Sequence, residues 1–196
     1  MYFCQVKRKR IIKLEEMDFS TENVTTDAAF VIDILNVYKT KKEQYHELFA
    51  IAEGYRLNNP NNKVPIKIYN DICEWIETNL GKFNLIIAGK QVGETLYNAM
   101  VAKNLITKKS IPIEVIEALN VVNITMVQDP KRRIWEILEH TPKSMNIRKT
   151  QTFNGKLQIG VLESLVKKTG VFFTQVFQVK DTKLGAEFDE YNITWM

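Results

Sequence analysis

Cysteine is scarce in this chain of 196 residues, which holds two thiols, Cys4 and Cys73. Two cysteines so far apart form neither a disulfide framework nor a zinc knuckle. Histidine is equally scarce, and the spacings His-x-x-x-His, Cys-x-x-Cys and paired Glu-x-x-His do not occur. We therefore expect no metal site, and a chain that works in the reducing cytoplasm.

Long apolar runs and catalytic motifs are also missing. The apolar run at residues 85–88 is far below the roughly 18 to 20 residues that span a bilayer. The basic start lacks the apolar core of a signal peptide. No Gly-x-Ser-x-Gly elbow is present, and the segment from Gly89 to Gly93 lacks the spacing of a phosphate loop. The sequence thus predicts no membrane span and no catalytic centre.

Basic charge is concentrated at the N-terminus. The chain has 27 basic and 23 acidic residues, and five of the basic ones lie within residues 7–13. The remainder is close to neutral, whereas a protein that grips nucleic acid needs a basic face on its folded surface. We expect a solvated arm and no nucleic-acid partner, and a binding tail stays open as the alternative.

Apolar residues recur at helical spacing in six segments, which predict six helices. These segments cover residues 27–38, 45–55, 65–80, 84–105, 112–126 and 157–166. Two further segments, near residues 135–148 and 173–195, show alternating apolar residues on both sides of a turn, which is typical of β-hairpins.

This order of elements predicts an α+β fold, in which an antiparallel sheet of two hairpins is covered by helices. An N-terminal helical segment precedes it. The Asn-rich stretch 58–62 favours turns and is the predicted linker. We therefore expect an arm and helical extension at residues 1–62, and an α+β ligand-binding domain at residues 63–196.

Two features predict where a ligand binds. Gly89 and Gly93 lie on one stripe of a predicted helix, where glycine costs about 1 kcal/mol relative to alanine. Either another helix or a ligand packs closely there. Large aromatic side chains in the second half exceed what one sheet face buries, which favours a cavity or a subunit interface. The predicted ligand-binding residues are Gly89, Gly93, Leu96, Tyr97, Met100, Trp135, Phe173 and Tyr191.

The second half of the chain carries a family resemblance. Its segments 88–93, 134–136 and 185–193, and the helix with Gly155 and Gly160, resemble the 4-vinyl-reductase-like domain. That small-ligand-binding module belongs to a wider group that includes the haem nitric-oxide sensors and subunits of vesicle-tethering complexes. The resemblance implies an α+β fold, a pocket between helices and sheet, frequent dimerisation, and sensing more often than catalysis.

The chain departs from that group at two points. Residues 179–191 lack the cysteines that metal-binding members share around the final hairpin, and the Tyr-x-Ser-x-Arg motif of the haem nitric-oxide sensors is absent. We therefore expect no cofactor. If haem were bound, His46 is the ligand that the sequence nominates, since His140 is expected in a turn that contacts water.

The sequence favours a noncatalytic sensory or regulatory module that works as a homodimer. Its ligand is a small apolar or amphipathic molecule in a pocket between helices and sheet. The alternative hypothesis is a haem- or tetrapyrrole-binding protein, with enzyme activity left open. A nucleic-acid binder with a basic arm is the third hypothesis.

Overall fold

The computed structural model describes residues 20–149 and 152–196. The basic segment 7–13 and Cys4 lie outside the described residues. Within them, six α-helices are found: α1 (Ala28–Val37), α2 (His46–Ala50), α3 (Ile66–Leu80), α4 (Lys82–Ala102), α5 (Pro112–Met126) and α6 (Gly155–Lys167). The strands are β1 (Thr25–Asp27), β2 (Lys63–Pro65), β3 (Val127–Gln128), β4 (Glu136–Thr141), β5 (Ser144–Lys149), β6 (Gln175–Lys180) and β7 (Asp189–Thr194).

Helix ends follow local chemistry. Gly81 separates α3 from α4 with a φ of 84°, a left-handed conformation that glycine adopts without a steric penalty. The side chain of Asn154 accepts hydrogen bonds from the backbone N–H groups of Lys156 and Leu157, which caps the start of α6. Only α2 is much shorter than predicted, because the segment 45–55 continues in turns after Ala50.

The main sheet has four antiparallel strands in the order β4-β5-β7-β6. Met145 lies opposite Ile193, and Ile147 lies opposite Tyr191. These four side chains are buried, and α6 packs against the neighbouring strands β6 and β7. The alternate residues of β5 and β7 are partly exposed on the other face. The predicted α+β fold, with a sheet of two hairpins covered by helices, is confirmed.

A second, smaller sheet was not predicted. Its order is β2-β1-β3, so the short strand β1 pairs with segments that follow much later in the chain. The Asp27 carboxylate forms a 2.5 Å ion pair with Lys63 across one of these pairings. Strand β1 directly precedes α1, β2 directly precedes α3, and β3 directly follows α5. The small sheet therefore connects the start of α1 to the start of α3 and to the end of α5.

Helices α4 and α6 cross at very short range. A Cβ atom on Gly89 would lie 2.1 Å from the carbonyl oxygen of Leu157, and one on Gly160 would lie 2.0 Å from that of Ile86. On Gly93 it would lie 2.7 Å from the Val161 oxygen. The sequence left open whether a helix or a ligand packs against Gly89 and Gly93, and in the structure helix α6 packs there.

No helix among the described residues is long and apolar enough to cross a membrane.

Candidate functional site

A small cavity lies where five helices meet the main sheet. Its volume is about 30 Å³, which is space for about two water molecules. The lining residues come from α1, α3, α4, α5, α6, β5 and the segments beside β4 and α6. They are Phe30, Tyr69, Val92, Leu96, Leu119, Val122, Asn123, Trp135, Lys149, Phe153, Gln158 and Val161.

Aromatic rings form much of the wall. The ring of Phe153 makes edge contacts with Phe30 and Tyr69, at centroid distances of 6.4 and 5.1 Å. Trp135, another residue of the wall, contacts Tyr191 outside the cavity at a centroid distance of 5.6 Å. Such edge-to-face pairs are favourable beyond the area they bury. The wall is therefore apolar and well packed, as small-molecule sites usually are.

Two asparagines of α5 place Trp135 over the cavity. Asn120 accepts a hydrogen bond from the Trp135 N–H at 2.8 Å and donates one to its carbonyl at 2.9 Å. One turn later, Asn123 donates to the Arg133 carbonyl at 3.0 Å. The two side-chain amides thus form the hydrogen bonds that a neighbouring strand would otherwise form with the Trp135 N–H, the Trp135 carbonyl and the Arg133 carbonyl.

Lys149 is the charged residue of the cavity wall. It is only 5% exposed, and its Nζ donates to Asn123 Oδ1 at 3.3 Å. The same nitrogen lies 5.4 and 5.0 Å from the ring centroids of Trp135 and Phe153. Among the described residues, no carboxylate lies within ion-pair distance of it. This amine is buried with one weak hydrogen bond and two ring faces as its partners.

Burial strongly perturbs the Lys149 amine. It lowers the pKa of Lys149 from 10.5 to about 7; the field of Arg133 acts in the same direction and that of Asp129 opposes it. At neutral pH the nitrogen is therefore partly uncharged and presents a lone pair. The amine can act as a nitrogen donor when neutral or as a cation when protonated.

A smaller recess, called the polar recess after Thr152 and Asp189 in its wall, adjoins the cavity. Its volume is about 10 Å³, and it shares Trp135, Lys149, Phe153 and Gln158 with the larger space. Thr152 lines it, is 2% exposed, and has a hydroxyl oxygen without a hydrogen-bond partner. Asp189 also lines it, and burial raises the pKa of this carboxyl. The recess thus offers polar groups beside an apolar wall.

A buried ion pair closes one side of this region. Arg133 Nε lies 2.7 Å from Asp129 Oδ2, and Arg133 Nη2 lies 3.1 Å from Oδ1 of the same carboxylate. Both side chains are less than a tenth exposed. The bidentate geometry fixes the turn between β3 and Trp135.

The predicted site residues lie in different places. Leu96 and Trp135 line the cavity, and Tyr191 lines the polar recess. Tyr97 and Met100 are buried in the core, and Gly89 and Gly93 face α6. Phe173 does not line the cavity, and its side chain is 77% exposed at a residue whose φ is 51°. The role of these residues in ligand binding stays a prediction.

The sequence analysis missed Lys149, Phe30, Tyr69 and Phe153. For Lys149 a signal existed, since it continues the alternation of the inward residues Met145 and Ile147 of β5. The other three lie on elements distant in sequence, and no local pattern brings them together.

Both histidines lie away from the cavity. His46 begins α2, His140 lies near the end of β4, and both are exposed. In the part of the chain that the structure describes, no group of three His, Cys, Asp or Glu residues is arranged to hold a metal ion.

Comparison with known proteins gives a fold and no sequence family. No family model matches, and no curated protein sequence matches. Solved H-NOX structures do match. A mutant H-NOX protein from S. oneidensis in the Fe(II) ligation state has a TM-score of 0.68 and 11% identity over 87% of this chain and 96% of that chain. Fe(II) unliganded H-NOX from K. algicida has a TM-score of 0.59 and 10% identity, again over 87% and 96%.

A third structure, the Shewanella oneidensis H-NOX domain in the Fe(II)CO ligation state, has a TM-score of 0.60 and 12% identity over 87% of this chain and 98% of that chain. The resemblance to the wider group that includes the haem nitric-oxide sensors is therefore confirmed at the level of the fold. The narrower assignment to the 4-vinyl-reductase-like domain stays a hypothesis.

These structures also correct the expectation of no cofactor. The missing cysteines of residues 179–191 and the missing Tyr-x-Ser-x-Arg motif led to that expectation, but solved proteins that share this fold are in Fe(II), Fe(II)NO and Fe(II)CO ligation states. The expectation was wrong because it relied on short sequence motifs, which do not reveal a shared fold.

Proposed function

We propose that this chain is a sensory domain that binds haem, or a related tetrapyrrole, in the cavity around Lys149. The observation that carries the proposal is a buried amine without a carboxylate partner on the wall of an aromatic cavity. The fold supports it, since solved H-NOX proteins that share it are in Fe(II), Fe(II)NO and Fe(II)CO ligation states. Cytoplasmic location, a noncatalytic role and a homodimer belong to the same proposal.

The side chains of the cavity wall match parts of such a ligand, but the cavity as it stands does not fit it. A tetrapyrrole presents a flat apolar ring, and the rings of Phe30, Tyr69 and Phe153 supply matching surface. Lys149 supplies nitrogen, and Thr152 offers a hydroxyl without a partner. A volume of about 30 Å³ is much smaller than a tetrapyrrole. Binding therefore requires wall side chains to move.

The residues of the chain have separable tasks in this proposal. Val92 and Leu96 of α4 and Leu119 of α5 exclude water from the site. Asn120 holds the backbone of Trp135, so that the indole stays at the wall while other side chains shift. Haem, when bound, would supply an iron centre for diatomic gases, as in the H-NOX proteins of this fold with NO and CO on Fe(II).

Haemin titration of the purified full chain tests the proposal. We expect a Soret band that saturates at one haem per chain, and a shift of this band when CO is added after reduction. Tryptophan fluorescence of the chain, to which Trp135 contributes with Trp75 and Trp195, should be quenched in parallel. The absence of a saturable Soret band would overturn the proposal.

A matched pair of variants places the site. Val122 lines the cavity and is fully buried, whereas the preceding residue Val121 is 46% exposed on the same helix. Val122→Phe should weaken haem binding by at least tenfold, and Val121→Phe should leave it unchanged. Thermal melts must show both variants folded. Equal effects of the two changes would place the ligand elsewhere.

The small volume favours a second candidate. A small amphipathic molecule with an acidic group would displace fewer wall side chains than a tetrapyrrole and would pair with protonated Lys149. Thermal shift with short aliphatic and aromatic carboxylates tests it. A rise in melting temperature that is lost in Lys149→Leu, without a haemin complex, would favour this candidate over haem.

A further inference from the structure

The Lys149 amine has unused capacity for a bonding partner. Its side chain follows Met145 and Ile147 in the inward series of β5 and is 5% exposed. Its hydrogen bond to Asn123 Oδ1 is long, at 3.3 Å, and among the described residues no carboxylate lies within ion-pair distance. Buried polar groups normally have close hydrogen-bond partners. An amine held by one weak bond therefore points to a further molecule beside it.

A space of matching size adjoins this amine. The cavity has room for about two water molecules in its volume of about 30 Å³, and the polar recess adds about 10 Å³. A ligand that enters without displacing the wall therefore has about two or three non-hydrogen atoms. Thr152 lines the recess, is 2% exposed and has a hydroxyl oxygen without a hydrogen-bond partner. This hydroxyl suits a very small ligand with one polar atom.

The surroundings make the amine a nucleophile. Lysines that react with carbonyl groups lie in apolar pockets or beside another cation, because both environments favour the neutral amine. Here aromatic rings lie beside the nitrogen, and the nearby charged groups are Arg133, Asp129 and Asp189. Burial, with the field of Arg133, lowers the pKa of Lys149 to about 7 against the opposing field of Asp129. An apolar wall also favours a reaction partner that carries no charge.

We propose that Lys149 binds a small aldehyde, such as acetaldehyde, in this cavity as an imine. The nitrogen lone pair adds to the carbonyl carbon, and one proton moves from nitrogen to oxygen to give a carbinolamine. The carbon–oxygen bond then breaks, the oxygen takes up one proton and leaves as water, and the nitrogen gives up its remaining proton to form the neutral C=N group. The Asp189 carboxyl lines the recess, where it can supply the first of these two protons and take back the second. Nothing is oxidised or reduced.

The cavity favours this product over the free aldehyde. Its apolar wall excludes the water that would hydrolyse an imine. When the imine is protonated, its cation keeps the ring faces of Trp135 and Phe153, whose centroids lie 5.4 and 5.0 Å from the lysine nitrogen. The reaction is separate from haem binding, since it needs no iron and no movement of the wall.

Reductive trapping in the full chain tests the proposal. Acetaldehyde with cyanoborohydride converts each imine into N-ethyl-lysine, which peptide mass spectrometry locates. At about pH 6, exposed lysines are almost wholly protonated, since their pKa is about 10.4. Lys149 should therefore be labelled at least about tenfold faster than Lys143, an exposed residue in the turn before β5. Acetaldehyde with ¹³C at the carbonyl carbon should also give an imine signal in NMR spectra of the parent, and Lys149→Met should lack this signal.

Ligand size and a matched pair of variants test the cavity itself. Pivalaldehyde, a branched aldehyde that is too large for the cavity, should label Lys143 at about pH 8 and leave Lys149 unlabelled. Val122→Phe fills the cavity and should slow the labelling of Lys149 by acetaldehyde at least about tenfold, whereas Val121→Phe, at an exposed position of α5, should not. Thermal melts must show both variants folded.

The results that overturn the proposal differ from those that overturn haem binding. Labelling of Lys149 that is no faster than that of Lys143 at about pH 6 would overturn it. So would labelling of Lys149 by pivalaldehyde, or an imine signal that persists in Lys149→Met. A parent without a Soret band would overturn the proposed function, whereas the trapping experiment contains no haemin and is decided independently.

Discussion

The crossing of α4 and α6 makes a quantitative prediction for Gly160→Ala. The added methyl group would lie 2.0 Å from the Ile86 carbonyl oxygen and 2.8 Å from the Lys90 nitrogen, whereas ordinary contact begins at 3.4 Å. The two helices would have to separate by about 1.4 Å, the difference between 3.4 and 2.0 Å. Both neighbours are backbone atoms, so no side-chain rotation relieves the contact.

Two effects of opposite sign decide the magnitude. Alanine favours a helix over glycine by about 1 kcal/mol. Overpacking a core usually costs about 1 to 3 kcal/mol, and occasionally more. Because a rigid backbone contact lies at the upper end of that range, we expect a net loss of about 2 kcal/mol in the free energy of unfolding. For a chain of this length that is a fall of about 4 to 8 °C in melting temperature.

Urea denaturation and thermal melts of a graded series measure this loss. Gly93→Ala should cost less than Gly160→Ala, since its closest contact is 2.7 Å and one neighbour is the Ser164 side chain. Gln91→Ala, at an exposed position of α4, should change the stability by less than about 0.5 kcal/mol. A Gly160→Ala variant as stable as its parent would refute the tight crossing.

Four further predictions concern buried charges, assembly and the basic N-terminal segment. Burial raises the pKa of Asp33 from 3.8 to about 6. Between these values the folded chain binds more protons than the unfolded chain, so the free energy of unfolding should fall as pH rises from about 4 to 6. Asp33→Asn should abolish that slope in denaturation curves. Arg133→Met should lower the free energy of unfolding by about 3 to 5 kcal/mol in urea denaturation, because it leaves the Asp129 carboxylate buried without its partner. The double variant Asp129→Leu/Arg133→Met should lose less, and an equal loss would contradict this reasoning. Light scattering at micromolar concentration should show a homodimer, and deleting residues 1–13 should leave nucleic-acid affinity unchanged at physiological salt.

Much of the fold could be predicted because its long elements are strongly periodic. Helices α3 and α5 lie within a residue of their predicted bounds, since Pro65, Gly81 and Pro112 mark the ends. Strands β1, β2 and β3 were missed because two or three residues are too few to show an alternation. Their pairing partners are also distant in the chain, which no local pattern reveals.

The site was harder to predict because it is assembled from many elements. Leu96 and Trp135, which were predicted from the size and spacing of apolar side chains, line the cavity, and their role in binding stays a prediction. Lys149 was missed because lysine is almost never buried unless paired, although its place in the alternation of β5 pointed inward. The stripe of Gly89 and Gly93 was ambiguous in the sequence, because a ligand and a crossing helix both require a position without a side chain.

The small sheet sets an order of folding events. Its central strand β1 must find Pro65 across about 40 residues and Gln128 across 103 residues. Closing the longer loop costs only about 1 kcal/mol more, because this entropy grows with the logarithm of loop length. Contacts so distant in sequence nevertheless form slowly. Pulse-labelled hydrogen exchange should therefore show the amides of β1 and β3 protected after those of α4 and α6. Strand β1 would then dock after these two helices have packed together.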